Sequence, residues 1–281
     1  MTRRSFMKKI IVIPNTVHDT QYEYTKRAET ALIKKGFEIC RCQIESPLLN
    51  EKEIFENAYA ILVLGGDGTI LNAAHYASRY DIPILAVNLG RLGYIAQLEK
   101  HDFDLVTEIL SNEFITEHRA MLSLQLHRND TLIFKDECIL NDAVISKLNG
   151  RGIIEGELMA NGAPIIRYRG DGIIVSTATG STAYSMSAGG PIIDPTLKIM
   201  EVTPLATHSL KARPIVFSDR HTLTIRICEA NAAACLTLDG ETTVPLKTDD
   251  YIRIAISDRI TKLIARQNDF CKILYEKMSD L

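Results

Sequence analysis

The 281-residue chain is short of several things, and each shortage removes a class of protein. Six cysteines over this length cannot form a dense disulfide scaffold. No apolar run approaches the roughly 20 residues of a bilayer span; the longest strong ones are Ile10–Ile13 and Ala60–Leu64. An excess of one charge is also lacking, with 32 basic against 35 acidic residues, which argues against holding nucleic acid mainly by charge. The start, Met1 to Lys9, is basic but leads into only four apolar residues before Pro14, too few for a signal-peptide core. Internal repeats and low-complexity tracts are missing as well. What remains, 46% hydrophobic and 24% charged, is the composition of a folded chain of about two domains. The expectation is a cytoplasmic α/β enzyme or binding protein.

The first part alternates strands and helices. Ile10–Ile13 is a β-branched run ended by Pro14, followed by a helix over Gln21–Lys35 that Gly36 closes. Phe37–Ile44 alternates as a strand, Ala58–Leu64 reads as a buried strand, Thr69–Arg79 as a helix and Ile84–Val87 as another strand. Short joints between such elements imply a parallel sheet, with ligands beyond the carboxyl ends of its strands. The later part is different. Short β-branched segments near Met121–His127, Thr131–Phe134, Ala143–Lys147, Gly156–Met159, Ile173–Ser176, Thr222–Ile227, Cys235–Leu238 and Tyr251–Ile256 suggest an antiparallel sandwich. The fold expected is therefore an α/β domain over 1–113 and a β-sandwich domain over 114–255. A C-terminal segment, 256–281, then closes with a helix over Asn268–Ser279 that packs back on the first domain.

Two stretches carry chemistry. Gly65-Gly66-Asp67-Gly68-Thr69 joins a buried strand to a helix. Glycines let backbone approach a ligand, the helix start offers unpaired N–H groups to phosphate, and a carboxylate there can act as a base or hold Mg²⁺. The plainer reading makes Asp67 the N-cap of the helix. Neither a Walker A run nor a Gly-x-Gly-x-x-Gly after a strand is present, so neither familiar phosphate loop is available. The second stretch, Gly170 to Pro191, is rich in small and hydroxylated residues, contains Tyr184, and has no charge besides Asp171. Small residues admit a flat ligand, hydroxyls orient it, and a tyrosine can donate or stack. Cys40 and Cys42 lie two apart on one strand, but nothing nearby completes a four-ligand zinc site, so core packing is the simpler reading. The other cysteines read as scattered buried thiols. His75 lies two turns beyond Asp67, while Lys211 and Arg213, after His208, read as a solvated edge or as phosphate contacts.

The glycine turn together with Thr179-Gly180-Ser181-Thr182-Ala183-Tyr184-Ser185-Met186-Ser187-Ala188-Gly189-Gly190-Pro191 resembles the NAD kinase family, bacterial type. The turn alone is shared with diacylglycerol-kinase-like lipid kinases and 6-phosphofructokinases, whereas the second motif is close to specific. Asn88 to Tyr94, Leu140-Asn141-Asp142, Ala212-Arg213-Pro214 and Leu238-Asp239-Gly240 follow in the family's order. The resemblance implies transfer of phosphoryl from ATP, carried with Mg²⁺, to the adenosine 2′-hydroxyl of NAD, in a homodimer or homotetramer. It implies Asp67 as general base with Gly68 beside it, Asn141 on the adenine and Asp142 on the ribose. It further implies Arg169 and Asp171 at the dinucleotide, in some relatives' fashion from a neighbouring subunit. Thr182, Ala183, Tyr184, Ser185, Met186 and Ser187 would hold the nicotinamide–ribose or adenine end, and Arg151 lies near a family contact. Two positions depart: Asp142 where many relatives have Glu, and Glu241 where many have Gln, a charge that would be costly beside an anionic ligand unless paired. The alternatives are a lipid or sugar kinase of the same glycine turn, or a dinucleotide sensor that lost its chemistry; retention of Asp67 speaks against the sensor.

Overall fold

The computed structural model describes residues 7–44, 48, 50–148, 152–207, 212–230, 233–265 and 270–279. The chain forms two compact units, Met1–His118 with Thr261–Leu281, and Arg119–Ile260. Both divides fall inside long strands. The divides expected from sequence, 113/114 and 255/256, lie a few residues away, because a strand that continues through a divide leaves no break in composition to read.

The first unit runs β1 (Lys9–Pro14), α1 (Glu23–Lys34), β2 (Glu38–Arg41), α2 (Glu51–Phe55), β3 (Ala58–Leu64), α3 (Asp67–Tyr80), β4 (Ile84–Asn88), β5 (Leu98–Glu99) and α4 (Leu105–Ser111). The strands lie in the order β2-β1-β3-β4, all parallel, with β5 beside β4. Their continuous apolar runs fit a sheet covered on both faces. On one face Ile10, Val12, Leu62 and Leu64 pack with Leu32 of α1 and Leu110 of α4. Helix α3 lies against β3 and β4 and buries Ile70, Ala73, Ala74 and Ala77. The expected strand over Phe37–Ile44 shortens to β2, which among the described residues pairs only with β1, at the edge of the sheet.

The second unit is an antiparallel sandwich. Its strands are β6 (Thr116–Arg128, entering from the first unit), β7 (Thr131–Ile139), β8 (Asp142–Lys147), β9 (Ile154–Ala160), β10 (Ala163–Gly170) and β11 (Gly172–Thr177). After a 3₁₀ turn and the one-turn helix α5 (Tyr184–Ser187) come β12 (Ile199–Leu205), β13 (Ile215–Ser218), β14 (Leu223–Ala230), β15 (Ala234–Leu238) and β16 (Thr242–Leu246). One sheet has the order β13-β12-β11-β8-β15-β16; the other contains β10, β9 and β14 with β6 and β7. Side chains alternate across each strand, so Ile173, Val175, Met200, Val202 and Leu236 of the first sheet meet Leu158, Leu223 and Ile225 of the second in a dry core. Strand β17 (Tyr251–Ile264) leaves this unit by pairing with β14 and ends in the first unit, where Leu263 lies parallel to Ile84. Helix α6 (Phe270–Ser279) follows there, with Lys277 Nζ 4.0 Å from the ring centre of Tyr94. Among the described residues no helix is long and apolar enough to cross a membrane.

Four strands of the sandwich, β10, β12, β13 and β16, were not legible as strands. Pro164, Pro204 and Pro245 interrupt three of them, and β10, β13 and β16 are edges, where a missing N–H is tolerated. Among the described residues no two cysteines form a disulfide. Cys42, Cys138 and Cys235 are buried as expected, Cys40 and Cys228 are half-buried, and Cys271 is exposed on α6 rather than buried.

Candidate active site

In the first unit the glycine turn sits at the carboxyl end of β3, held on two sides. Gly65 N–H donates to Val87 O at 3.0 Å, and Asn15 Nδ2 donates to Thr69 Oγ1 at 2.8 Å. Helix α3 begins two residues earlier than its apolar pattern suggests, so Asp67 occupies its first turn and Gly66 is the N-cap. Asp67 therefore does not cap the helix. Its carboxylate instead accepts the N–H of Tyr94 at 2.9 Å and of Ile95 at 3.4 Å. The loop that supplies these donors is shaped by Asn88, which is fully buried. Asn88 Oδ1 accepts Gly90 N–H at 3.0 Å, and its Nδ2 donates to Arg91 O at 2.7 Å. Gly93 passes so near that a Cβ there would lie 2.2 Å from Asp67 Oδ1. Burial and the Asp67 charge together hold the Tyr94 phenol above its usual range. Gly68 is exposed one residue on. The result is a carboxylate fixed by backbone at a helix start, where the peptide dipoles favour negative charge. His75, half-buried further along α3, bonds to Arg79 at 2.7 Å.

In the second unit the outer face of the β8–β11–β15 sheet carries a cavity of about 380 Å³. Asn141, Asp142, Val144 and Ser146 form one wall, Ala183 and Tyr184 another, and Thr237, Asp239 and Gly240 a third. Asp239, in the turn after β15, organises it. One carboxylate oxygen accepts Leu140 N–H at 2.8 Å, and the other accepts Asn141 N–H at 2.7 Å and Asp142 N–H at 3.1 Å. Burial pushes the Asp239 carboxyl up to about 6, against the pull of those three N–H groups. Burial, with the Asp239 charge second, pushes Asp142 up to about 7. Asn141 Oδ1 is buried and, among the described residues, accepts no hydrogen bond; it suits an incoming donor, because a buried acceptor left unpaired costs ~1–3 kcal/mol.

The expected site residues thus fall into groups. Asn141, Asp142, Ala183 and Tyr184 are gathered at the cavity. Ser185 is fully buried with its hydroxyl turned inward, 2.9 Å from Glu201 and 2.8 Å from Thr203. Thr182, Met186 and Ser187 follow the same segment without lining the cavity, and Glu241 is exposed past Gly240. Arg169 is exposed on β10, and Asp171 pairs with Lys147 at 2.6 Å. Arg151 lies outside the described residues, as do His208 and Lys211, and Arg213 is exposed. Reading the sequence missed Asp239 and Glu201 as organisers of the site. The turn-forming Asp-Gly between two β-branched runs was the available signal for the first; nothing in the sequence marked the second.

Solved structures share this fold over almost the whole chain. The yeast NADH kinase complexed with NADH superposes with a TM-score of 0.82 at 22% identity, covering 98% of this chain and 88% of that one. An NAD kinase from Archaeoglobus fulgidus in complex with ATP gives 0.77 at 26% identity, covering 97% and 99%. The fold is thus that of a class of dinucleotide kinases. Sequence narrows the class: the ATP-NAD kinase N-terminal domain model matches residues 20–114 and the C-terminal domain model residues 140–266. Curated NAD kinases are similar at this level too. That of Caldanaerobacter subterraneus subsp. tengcongensis is 35% identical over 98% of this chain and 100% of its own. That of Lachnospira eligens is 35% identical over 92% and 95%. The chain belongs to the ATP-NAD kinase family, whose members are phosphotransferases that phosphorylate NAD with ATP as donor.

Proposed function

We propose that this chain transfers the γ-phosphoryl group of ATP to the adenosine 2′-hydroxyl of NAD, giving NADP, with Asp67 as general base. The observation that carries the reading is the Asp67 carboxylate, fixed by the Tyr94 and Ile95 N–H groups at the start of α3 rather than spent on a cap. Phosphoryl transfer is mostly positioning and charge stabilisation. A base whose rotamer is set before substrate arrives takes the hydroxyl proton as the oxygen attacks, without reorganising. Gly68 and the helix start lie beside the donor's phosphates.

The acceptor's nucleoside belongs in the cavity of the second unit. The unpartnered Asn141 Oδ1 suits the adenine amino group, and Asp142 accepts ribose hydroxyls. Ala183 and Tyr184 take a flat ring against small and aromatic surface, and Thr182, Ser185, Met186 and Ser187 set the course of that segment. Arg169 and Asp171, outside the cavity, serve the dinucleotide of a neighbouring copy in a homodimer or homotetramer. Glu241, exposed past Gly240, belongs to the rim, and the family pattern makes Arg151 a further ligand contact. A divalent cation arrives with the donor. Mg²⁺ keeps water and phosphate oxygens as most of its ligands, so it would ride on the donor's phosphates and neutralise their charge, leaving Asp67 free to act as the base.

The test is direct. With Mg·ATP and NAD, the wild-type chain forms NADP, read by an NADP-specific dehydrogenase. Asp67→Asn lowers kcat by about 10² or more, while calorimetric NAD binding stays within about threefold of wild type. Near-normal turnover of the Asn variant would exclude Asp67 as the base.

A further inference from the structure

The mechanism makes no use of Glu201, yet among the described residues of the second unit only Asp250 is a carboxylate buried as deeply. Glu201 stands on β12 with 0% exposure, on the outer face of the sheet, directly across from Ser176 of β11. Among the described residues no cation pairs with it. Its partners are three hydroxyls: Ser185 Oγ at 2.9 Å and Thr203 Oγ1 at 2.8 Å on Oε1, and Ser176 Oγ at 3.2 Å on Oε2. Ser185 and Thr203 also lie 2.8 Å from each other. Two of these hydroxyls belong to the sheet itself, and the third comes from α5, the segment that crosses over it.

Gly190 brings that segment back over the same carboxylate. A Cβ there would lie 2.2 Å from Glu201 Oε1 and 2.3 Å from Ser185 Oγ, so only a glycine lets the chain pass. Gly190 N–H donates to Ser185 O at 2.9 Å and closes the loop on itself. Ala188 packs beside it on Val144, Ile174 and Leu205. Burying a carboxylate without a cation is costly, and an aliphatic side chain would cover the sheet at less expense. What a carboxylate adds is a directed acceptor that draws one hydroxyl inward. Drawing Ser185 inward turns its neighbour Tyr184 outward, where it lines the cavity with 49% exposure beside Ala183.

We propose that Glu201 is a positioning residue for the dinucleotide: acting through Ser185, it sets the Ala183–Tyr184 wall of the cavity. This rests on the reading that NAD occupies that cavity. Glu201 touches no substrate, so its loss acts on acceptor binding and leaves the donor and the chemical step nearly alone.

The test uses full-length Glu201→Val, Glu201→Gln and Ser185→Ala, with KM for NAD and for ATP, kcat and the thermal midpoint measured for each. Glu201→Val raises KM for NAD about 10-fold, the scale of losing one buried charge-assisted hydrogen bond, with KM for ATP and kcat within about twofold. Glu201→Gln keeps an acceptor at the same reach and recovers KM for NAD to within about threefold. Ser185→Ala alone raises KM for NAD several-fold, and adding it to Glu201→Val changes KM by less than about twofold, because the two act as one unit. If Glu201→Val does not fold, the same non-additivity between Glu201→Gln and Ser185→Ala decides the matter. An unchanged KM for NAD in Glu201→Val overturns the inference, as do equal losses for NAD, ATP and kcat, which would mark a purely structural role. Wild type that fails to make NADP at all overturns the functional reading first, and the inference with it.

Discussion

Asp67 in the first unit and Asp142 in the second are both carboxylates assigned to the same small molecule, and the two units hold them by opposite means. Asp67 sits at the end of a parallel strand, where the chain must turn into a helix; two N–H groups of a second loop hold it, and it stays half-buried. Asp142 opens a strand of an antiparallel sheet, is 5% exposed, and has the buried Asp239 carboxyl for a neighbour. The difference follows from the architectures. A parallel sheet buries both faces and presents chemistry only at strand ends, so its carboxylate is gripped by loop backbone and remains open to substrate. An antiparallel sandwich has a spare outer face, so a site built there sinks into the sheet and meets low-dielectric surroundings. One unit suits a base ready to take a proton, and the other a recessed recognition surface.

Three experiments press on this contrast. The largest effect is expected from Gly93→Ala, whose new Cβ would lie 2.2 Å from Asp67 Oδ1 and must displace the carboxylate or the loop. Misplacing a catalytic group by about 1 Å lowers kcat by roughly 10²-fold, and NAD affinity in the other unit should hold. A kcat within twofold of wild type would mean that the backbone grip is not what orients Asp67. Next comes the pH dependence of stability. Burial raises the Asp142 carboxyl from 3.8 to about 7, so its contribution is complete below the unfolded value and is lost as pH rises through about 7. The thermal midpoint of wild type should therefore fall by roughly several degrees between pH 5 and 8. Asp142→Asn, neutral throughout, should flatten most of that fall, and a remaining slope below about pH 6 belongs to Asp239. An identical pH profile in the variant would mean that Asp142 ionises without penalty. The smallest effect is expected from Arg226→Ala, which removes an ion pair with Asp249 whose side chains are 53% and 64% exposed. Such a pair gains little over water, so the urea midpoint should stay within experimental scatter; a clear drop would show that surface charge holds the sandwich.

Much of the fold was legible because its signals are local. The alternation of β1 to β4 with helices shows in apolar runs and glycine stops, and the antiparallel character of the second unit shows in short β-branched segments. Strands such as β12 and β16 stayed hidden because Pro204 and Pro245 contradict local strand chemistry, and only pairing with β11 and β15 overrides it. Of the candidate residues, Asp67 in the first unit and Asn141, Asp142 and Tyr184 in the second stood in recognisable motifs. Asp239 was visible only as part of a family-ordered motif and without a role, since its hydrogen bonds reach back almost a hundred residues to Leu140, Asn141 and Asp142. Ser185 looked like one more ligand hydroxyl; its inward turn depends on Glu201, sixteen residues on.

The amino-acid sequence by itself determined the two-part division, the strand and helix periods, the family and the residue types that can carry phosphoryl transfer. Each of these is set by propensity, patterning or motif within a few neighbouring residues. The tertiary structure alone decided where those groups point. It turned Asp67 from a possible helix cap into a carboxylate held by Tyr94 and Ile95, drew Ser185 away from the cavity, and recessed Asp142 beside a second acid. Hydrogen-bond direction and burial belong to atoms brought together from distant parts of the chain, and no local pattern encodes them.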